Sequence, residues 1–263
     1  MDKFYLGTNW KMHKTVAQAR EYIRELDGYA RQFPQFNFFI IPPYTALWQM
    51  REYIQMYKAP FLLGAQNVHF EKEGAYTGEI SIPMLQEIGT QIIEIGHSER
   101  RQYYNETDYT VNQKAIQILL EGMTALICIG ENKKEKEYGV SKEKLRLQLG
   151  ICLQNIPVCY ADKVWIAYEP VWAIGNQGEP ADAAYVSEMH SCIRQVLCER
   201  WGTEGEQTRI LYGGSVNEEN CTSYLNDKNI NGLFIGRSAW DAKRFKTIME
   251  KICVAQKQKG GVL

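Results

Sequence analysis

The sequence predicts an α/β fold, a single closed (β/α)8 barrel domain spanning residues 1–263, and three observations carry that prediction. Eight short apolar or β-branched runs recur along the 263 residues, each followed by room for a helix. Strands that alternate with helices pair in parallel, because a parallel neighbour is reached only through a crossover connection. The length also matches the roughly 250 residues that eight such units take when they close on themselves. An open doubly wound sheet is the rival, but its usual mark is a Gly-rich phosphate turn after the first strand. Gly7-Thr8-Asn9-Trp10-Lys11 is not a G-x-G-x-x-G run.

Taken in order, residues 4–6 open the first strand, which runs into the polar segment 7–11. Residues 15–30 carry apolar side chains at helical spacing, Val16, Ala19, Ile23 and Leu26. Residues 36–41 are the second strand, Pro42-Pro43 closes it, and a helix over 44–57 follows. Residues 61–63 make the third strand, and a long polar loop continues to Gly78. Segments 91–95, 124–129, 164–167, 208–211 and 232–235 supply the other five strands. No Ser-, Pro- or Gly-rich linker interrupts the series, and the charged run at 133–137 reads as a solvated loop or helix.

Composition narrows the function. Net charge is −1, with no long block of Lys and Arg, which argues against nucleic acid or an anionic membrane as partner. The N-terminal residues lack the pattern of a signal peptide, and no apolar run reaches the roughly 18 residues of a membrane span, so a cytoplasmic protein is expected. Seven scattered cysteines, without a C-x-x-C pair or a cysteine–histidine cluster, point to reduced thiols and to no structural zinc site.

A barrel keeps its chemistry where the strands end at their C-terminal rim. Asn9 and Lys11 follow the first strand, His97, Ser98 and Glu99 the fourth, Glu169 the sixth, and Gly213-Gly214-Ser215 the seventh. Glu169 closes a buried strand, where a carboxylate is costly unless something uses it. Pro170 fixes the exit, and Val171, Trp172, Ala173 and Ile174 form an apolar flap closed by Gly175, the plan of a base under a lid. Taken singly, each residue has a plainer reading: a surface lysine, a loop histidine, a glycine turn, a glutamate that caps a helix. Their joint placement favours a site.

The chain resembles the triosephosphate isomerase family along its whole length. The matching motifs are Gly7-Thr8-Asn9-Trp10-Lys11-Met12, Gly64-Ala65-Gln66-Asn67-Val68, Gly74-Ala75-Tyr76-Thr77-Gly78-Glu79, Gly96-His97-Ser98-Glu99-Arg100-Arg101, Cys128-Ile129-Gly130-Glu131, Tyr168 through Gly175, and Tyr212-Gly213-Gly214-Ser215-Val216-Asn217. The resemblance implies a TIM barrel that isomerises a small phosphorylated ketose or aldose through an enediolate, within carbohydrate metabolism (glycolysis and gluconeogenesis). It implies Glu169 as base, neutral His97 polarising the carbonyl, Lys11 with Asn9 stabilising the oxyanion, Glu99 holding Lys11, and Tyr212 latching the lid. Backbone N–H groups of Gly175, Ser215 and Gly236 would hold the phosphate, with Arg237 beside them. It implies no metal and no organic cofactor, and a homodimer joined through the loop from Gly74 to Glu79.

Two stretches depart from the family pattern. After Gly175 the lid reads Asn176-Gln177-Gly178-Glu179-Pro180-Ala181, which alters its rear hinge. After the eighth strand Arg237 stands where the family has a second glycine, and Phe234 is the apolar residue expected to face the base. The run Gly236-Arg237-Ser238-Ala239-Trp240 resembles a branch of the family that converts L-erythrulose 1-phosphate to D-erythrulose 4-phosphate. The triose reaction ranks first because more of the chain matches it; a non-catalytic barrel is the alternative of another class.

Overall fold

Eight parallel strands close in chain order into a barrel in the computed structural model, which describes residues 4–175 and 178–260. They are β1 (Phe4–Asn9), β2 (Phe36–Ile41), β3 (Phe61–Ala65), β4 (Ile92–Ile95), β5 (Thr124–Ile129), β6 (Val164–Tyr168), β7 (Arg209–Tyr212) and β8 (Gly232–Ile235). The ring closes where β8 pairs with β1, Tyr5 opposite Gly232 and Thr8 opposite Ile235. Helices α1 (Val16–Ala30), α2 (Tyr44–Tyr57), α3 (Ile82–Ile88), α4 (Ser98–Tyr103), α5 (Asp108–Leu120), α6 (Lys133–Glu137), α7 (Ser141–Cys152), α8 (Ala183–Trp201), α9 (Thr203–Gln207) and α10 (Ala242–Gly260) lie between and after the strands.

Local chemistry sets many of the boundaries. A capping box starts α1, with the Thr15 hydroxyl accepting from Gln18 N–H and the Gln18 side chain returning to the Thr15 N–H. The same device, Asn132 with Glu135, turns the charged run at 133–137 into the short helix α6. Several strands extend past the apolar runs that marked them, because pairing continues into polar and aromatic residues: Asn9 lies opposite Ile41, and Tyr168 opposite both Ile129 and Tyr212. Between β7 and β8 the chain forms turns instead of a helix. There the Asn217 carboxamide oxygen accepts from the N–H groups of Glu219 and Asn220, a local side-chain bond that competes with helix formation.

Strand residues alternate between two apolar clusters. Phe39, Ile92, Leu126, Trp165, Leu211 and Phe234 pack with their neighbours in the lumen. The intervening residues, such as Ile40, Ile93, Ile127 and Ile166, join the larger core beneath the helices. The layers are close-packed, so the polar side chains at the strand ends are held by a rigid wall. All seven cysteines are free. Among the described residues no helix is long and apolar enough to cross a membrane.

The seam that closes the barrel depends on a missing side chain. A Cβ on Gly232 would lie 2.4 Å from the Tyr5 carbonyl oxygen and 2.6 Å from Tyr5 Cβ. Gly232→Ala should therefore force β8 from β1 and lower stability by about 1–3 kcal/mol. The expected result is a lower urea midpoint with an unchanged denaturant slope; an unchanged midpoint would show that the seam tolerates the methyl group.

Candidate active site

Glu169 directly follows β6. Its N–H donates to the Ile129 carbonyl at 2.8 Å, which fixes the side chain's origin against β5. Room for that side chain comes from Gly213, where a Cβ would sit 2.9 Å from Glu169 Cγ. The carboxyl is buried, with Oε2 lacking a hydrogen-bond partner among the described residues. Burial pushes its pKa up to about 7 despite the opposing charge of Lys11 and a hydrogen bond from the Ser98 backbone. A carboxyl so placed exchanges a proton near neutral pH, which suits a general base.

Across from it stands His97, the N-cap of α4. Its Nδ1 accepts from the Glu99 backbone N–H at 3.2 Å, so the proton of the neutral ring belongs on Nε2. Nε2 lies 3.6 Å from Glu169 Oε1. Desolvation, then the charges of Lys11 and Arg100, hold the His97 pKa down at about 3. The 3.6 Å contact is thus between a carboxyl and a neutral N–H donor, not an ion pair.

A second layer converges from β1, β3 and β4. Lys11 adopts φ 52°, a left-handed conformation that costs a non-glycine residue about 1–2 kcal/mol. Its N–H donates to Asn9 Oδ1 at 2.6 Å, and its Nζ reaches Glu99 Oε1 at 2.7 Å. Gln66, just beyond β3, donates to Asn9 Oδ1 at 3.0 Å and to the Lys11 carbonyl at 2.8 Å. Asn9 Nδ2 donates to Glu94 Oε2 at 2.7 Å, and the Asn9 carbonyl accepts from Trp240 Nε1 at 2.8 Å. Asn9, Lys11 and His97 are thereby set as donors beside the buried Glu169 carboxyl, with Glu99 accepting from Lys11.

The flap begins with a 3-10 turn at Val171–Ala173. Val171 N–H donates to the Glu131 carbonyl, and Trp172 Nε1 donates to the buried Glu131 carboxylate at 2.7 Å. Tyr168 and Tyr185 also donate to that carboxylate, and Lys136 Nζ sits 3.3 Å from the Trp172 ring centroid. Gly175 has φ 89°. Asn176 and Gln177, part of the altered hinge, lie outside the described residues. Tyr212 is buried beside Tyr224 and the Ala181 backbone, its hydroxyl without a hydrogen bond of full geometry. Ser215 follows β7, Gly236 follows β8, and Arg237 is exposed at the start of the 3-10 turn Arg237–Ala239. Phe234, expected to face the base, lies in the lumen with its ring 5.4 Å from that of Phe39.

The sequence reading assigned no role to Glu94, Gln66 or Glu131. Glu131 and Gln66 occur only inside matching motifs. Glu94 had a signal of its own, a lone carboxylate within the apolar run Ile92-Ile93-Glu94-Ile95.

Comparison with known proteins agrees with this geometry. The family model described as triosephosphate isomerase matches residues 4–252. The triosephosphate isomerase of Aquifex aeolicus is 39% identical over 244 residues, 93% of this chain and 97% of that protein. The L-erythrulose-1-phosphate isomerase of Rhizobium etli is 40% identical over 253 residues, 95% of this chain and 93% of that one. The crystal structure of triosephosphate isomerase from Bartonella henselae superposes with a TM-score of 0.85 at 34% identity, covering 97% of this chain and 99% of that one.

The raised pKa of Glu169 has a measurable cost. Its folded value of about 7 exceeds the ordinary 4.5, so the folded state binds this proton more tightly than the unfolded chain. The stability this adds is fully present below about pH 4.5 and is lost as pH rises through about 7. Glu169→Gln, which cannot ionise, should gain on the wild type by on the order of 3 kcal/mol between about pH 4 and pH 8 in urea unfolding. A difference independent of pH would mean that the carboxyl titrates normally.

Proposed function

The chain belongs to the triosephosphate isomerase family and is a sugar phosphate isomerase, and from that premise we propose that it interconverts dihydroxyacetone phosphate and glyceraldehyde 3-phosphate. The observation that carries the reading is the buried Glu169 carboxyl, poised near neutrality 3.6 Å from Nε2 of a neutral imidazole. Glu169 takes the proton from the carbon beside the carbonyl, while His97 Nε2–H donates a hydrogen bond to the carbonyl oxygen. Electron density moves from the breaking C–H bond into an enediolate, whose oxygens meet the Lys11 ammonium and the Asn9 amide. The hydroxyl proton then passes from one enediolate oxygen to the other, and Glu169 returns its proton to the neighbouring carbon, which completes the isomerisation. This pairing of a carboxylate base with a neutral imidazole is the established one for the family.

Glu99 holds the Lys11 ammonium at its station. The phosphate is held by backbone N–H groups of Gly175 beyond the turn Val171–Ala173, Ser215 after β7 and Gly236 after β8, with Arg237 at its edge. The flap over residues 170–175 excludes water from an intermediate that would otherwise lose phosphate, and Tyr212 latches it. The reaction needs neither a metal nor an organic cofactor. The whole chain forms one domain acting in the cytoplasm, in glycolysis and gluconeogenesis.

A second reading has its own support. Arg237 stands where the family has glycine, and several relatives 38–40% identical to this chain are named L-erythrulose-1-phosphate isomerase. Conversion of L-erythrulose 1-phosphate to D-erythrulose 4-phosphate uses the same residues, with an extra hydroxymethyl group on the carbon that loses the proton. A homodimer is supported by the exposed loop at 71–79 and by exposed Met12, Trp48 and Tyr76, side chains that a partner subunit would cover.

Measurement of kcat/KM for dihydroxyacetone phosphate and L-erythrulose 1-phosphate decides the substrate, and the triose should lead. Glu169→Gln should lower kcat by about 10²–10⁴-fold or more while phosphate-ligand binding persists. Equal loss of both would point to a structural role for Glu169, and no turnover of either sugar by the wild type would favour a non-catalytic barrel. If Arg237 shapes the pocket, Arg237→Gly changes the ratio of the two kcat/KM values; a constant ratio removes Arg237 from specificity. Sedimentation at micromolar concentration should give a dimer, and a monomer would sink the role of the 74–79 loop.

A further inference from the structure

Glu94 is buried in the wall of the barrel between Ile93 and Ile95. Alternation along β4 turns it to the same side as Ile92, into the lumen cluster with Leu126, Trp165 and Leu211. An apolar residue would fit that environment at no desolvation cost, so a carboxyl here calls for a use.

Its contacts lead to the reacting centre. Oε2 accepts from Asn9 Nδ2 at 2.7 Å, and Oε1 accepts from Cys128 Sγ at 3.6 Å. One oxygen of Glu94, Sγ of Cys128 and one oxygen of Glu169 all lie within 4.8 Å of one another. The titratable groups that face Glu94 are therefore Cys128 on β5 and Glu169 after β6, with the Lys11 charge acting from beyond β1. Two carboxyls this close in an apolar lumen do not both ionise. Burial first, and then the Glu169 charge, push the Glu94 carboxyl well above the ordinary range. The proton stays on Glu94, and Glu169 is left as the base.

The second consequence concerns Asn9. Lys11 N–H can only donate, and it ends on Asn9 Oδ1 together with Gln66 Nε2, so the amide cannot be flipped. Nδ2 must then face Glu94. One of its two hydrogens goes to Glu94 Oε2, and the other remains for an oxyanion.

We propose that Glu94 is a positioning residue for the isomerisation, staying protonated beneath the base while its Oε2 fixes the Asn9 amide so that the second Nδ2–H meets the developing oxyanion. The proposal deepens the isomerase reading above and rests on it. A purely structural role would make Glu94 a tie between β4 and β1, and the two roles differ in what its loss would do. Leucine in place of Glu94 suits the lumen and should leave folding intact, yet it frees the Asn9 amide.

The test compares wild type, Glu94→Gln and Glu94→Leu in kcat, KM, urea midpoint and infrared spectrum. Glu94→Gln is a neutral isostere that still accepts from Asn9, and its kcat should stay within about 3-fold of wild type. Glu94→Leu should lose about 10²-fold in kcat with KM changed by less than about 3-fold, and with a midpoint no lower than wild type. The wild type should show a protonated carboxyl band at about pH 8 that is missing in Glu94→Gln. Wild-type kcat in Glu94→Leu, a Glu94→Gln as impaired as Glu94→Leu, a midpoint loss that accounts for the rate loss, or no such band would each overturn the proposal. The glutamine variant and the band decide the matter even if the leucine variant fails to fold. If the wild type isomerises neither ketose phosphate, the isomerase reading falls first; a fully active leucine variant overturns the Glu94 proposal alone.

Discussion

The architecture of the site depends on keeping water from one carboxyl. Glu169 carries a raised proton affinity because the end of the lumen, the glycine turn after β7 and the neutral His97 ring surround it with little that can solvate a charge. In water the same group would be a weak base at neutral pH. Its neighbours are arranged accordingly. The imidazole stays uncharged because burial, and then the Lys11 and Arg100 charges, disfavour its protonation, and the Lys11 cation is held by the half-exposed Glu99, so it does not settle on the Glu169 carboxyl. In the proposed reaction, positive charge is thus close enough to meet a developing oxyanion without cancelling the carboxyl's basicity in advance.

Such a separation of charges by a few ångströms requires a scaffold that does not yield. Parallel strands supply it, since each side chain of the site projects from a backbone position hydrogen-bonded to its neighbours on the wall. The pairing of Asn9 with Ile41 carries β1 right up to the amide that orders Lys11. The left-handed backbone of Lys11 is an unfavourable local choice maintained by three hydrogen bonds around it.

Legibility in the sequence followed the range of the forces involved. Strand runs and helical periodicity depend on local pattern, so the eight β-units and the helix over 15–30 could be read from spacing alone. Strand ends were less legible, because Asn9 and Tyr168 are strand residues only by virtue of partners on distant segments. Lys11, His97 and Glu169 could be placed on one rim once closure was assumed. Glu94 was given no role: its one local signal was a lone acid within an apolar run, and its partner Asn9 lies 85 residues away. The turns between β7 and β8 were equally hidden, since they follow from which backbone groups the Asn217 side chain takes.

The Glu131 carboxylate gives the flap a particular mechanical character. Of its three donors among the described residues, Trp172 belongs to the proposed lid, whereas Tyr168 on β6 and Tyr185 on α8 belong to the frame. Withdrawal of Trp172 would break one hydrogen bond and the contact with Lys136, yet the buried charge would keep two hydroxyl partners. A hinge that left this carboxylate bare would face a steep climb. With the tyrosines in place the climb is shallow, and the Val171 N–H ties the root of the segment to the Glu131 backbone. On the proposed reading of this segment as a lid, opening it costs one hydrogen bond and one ring contact about a fixed root, so that neither entry of substrate nor exit of product meets a high barrier.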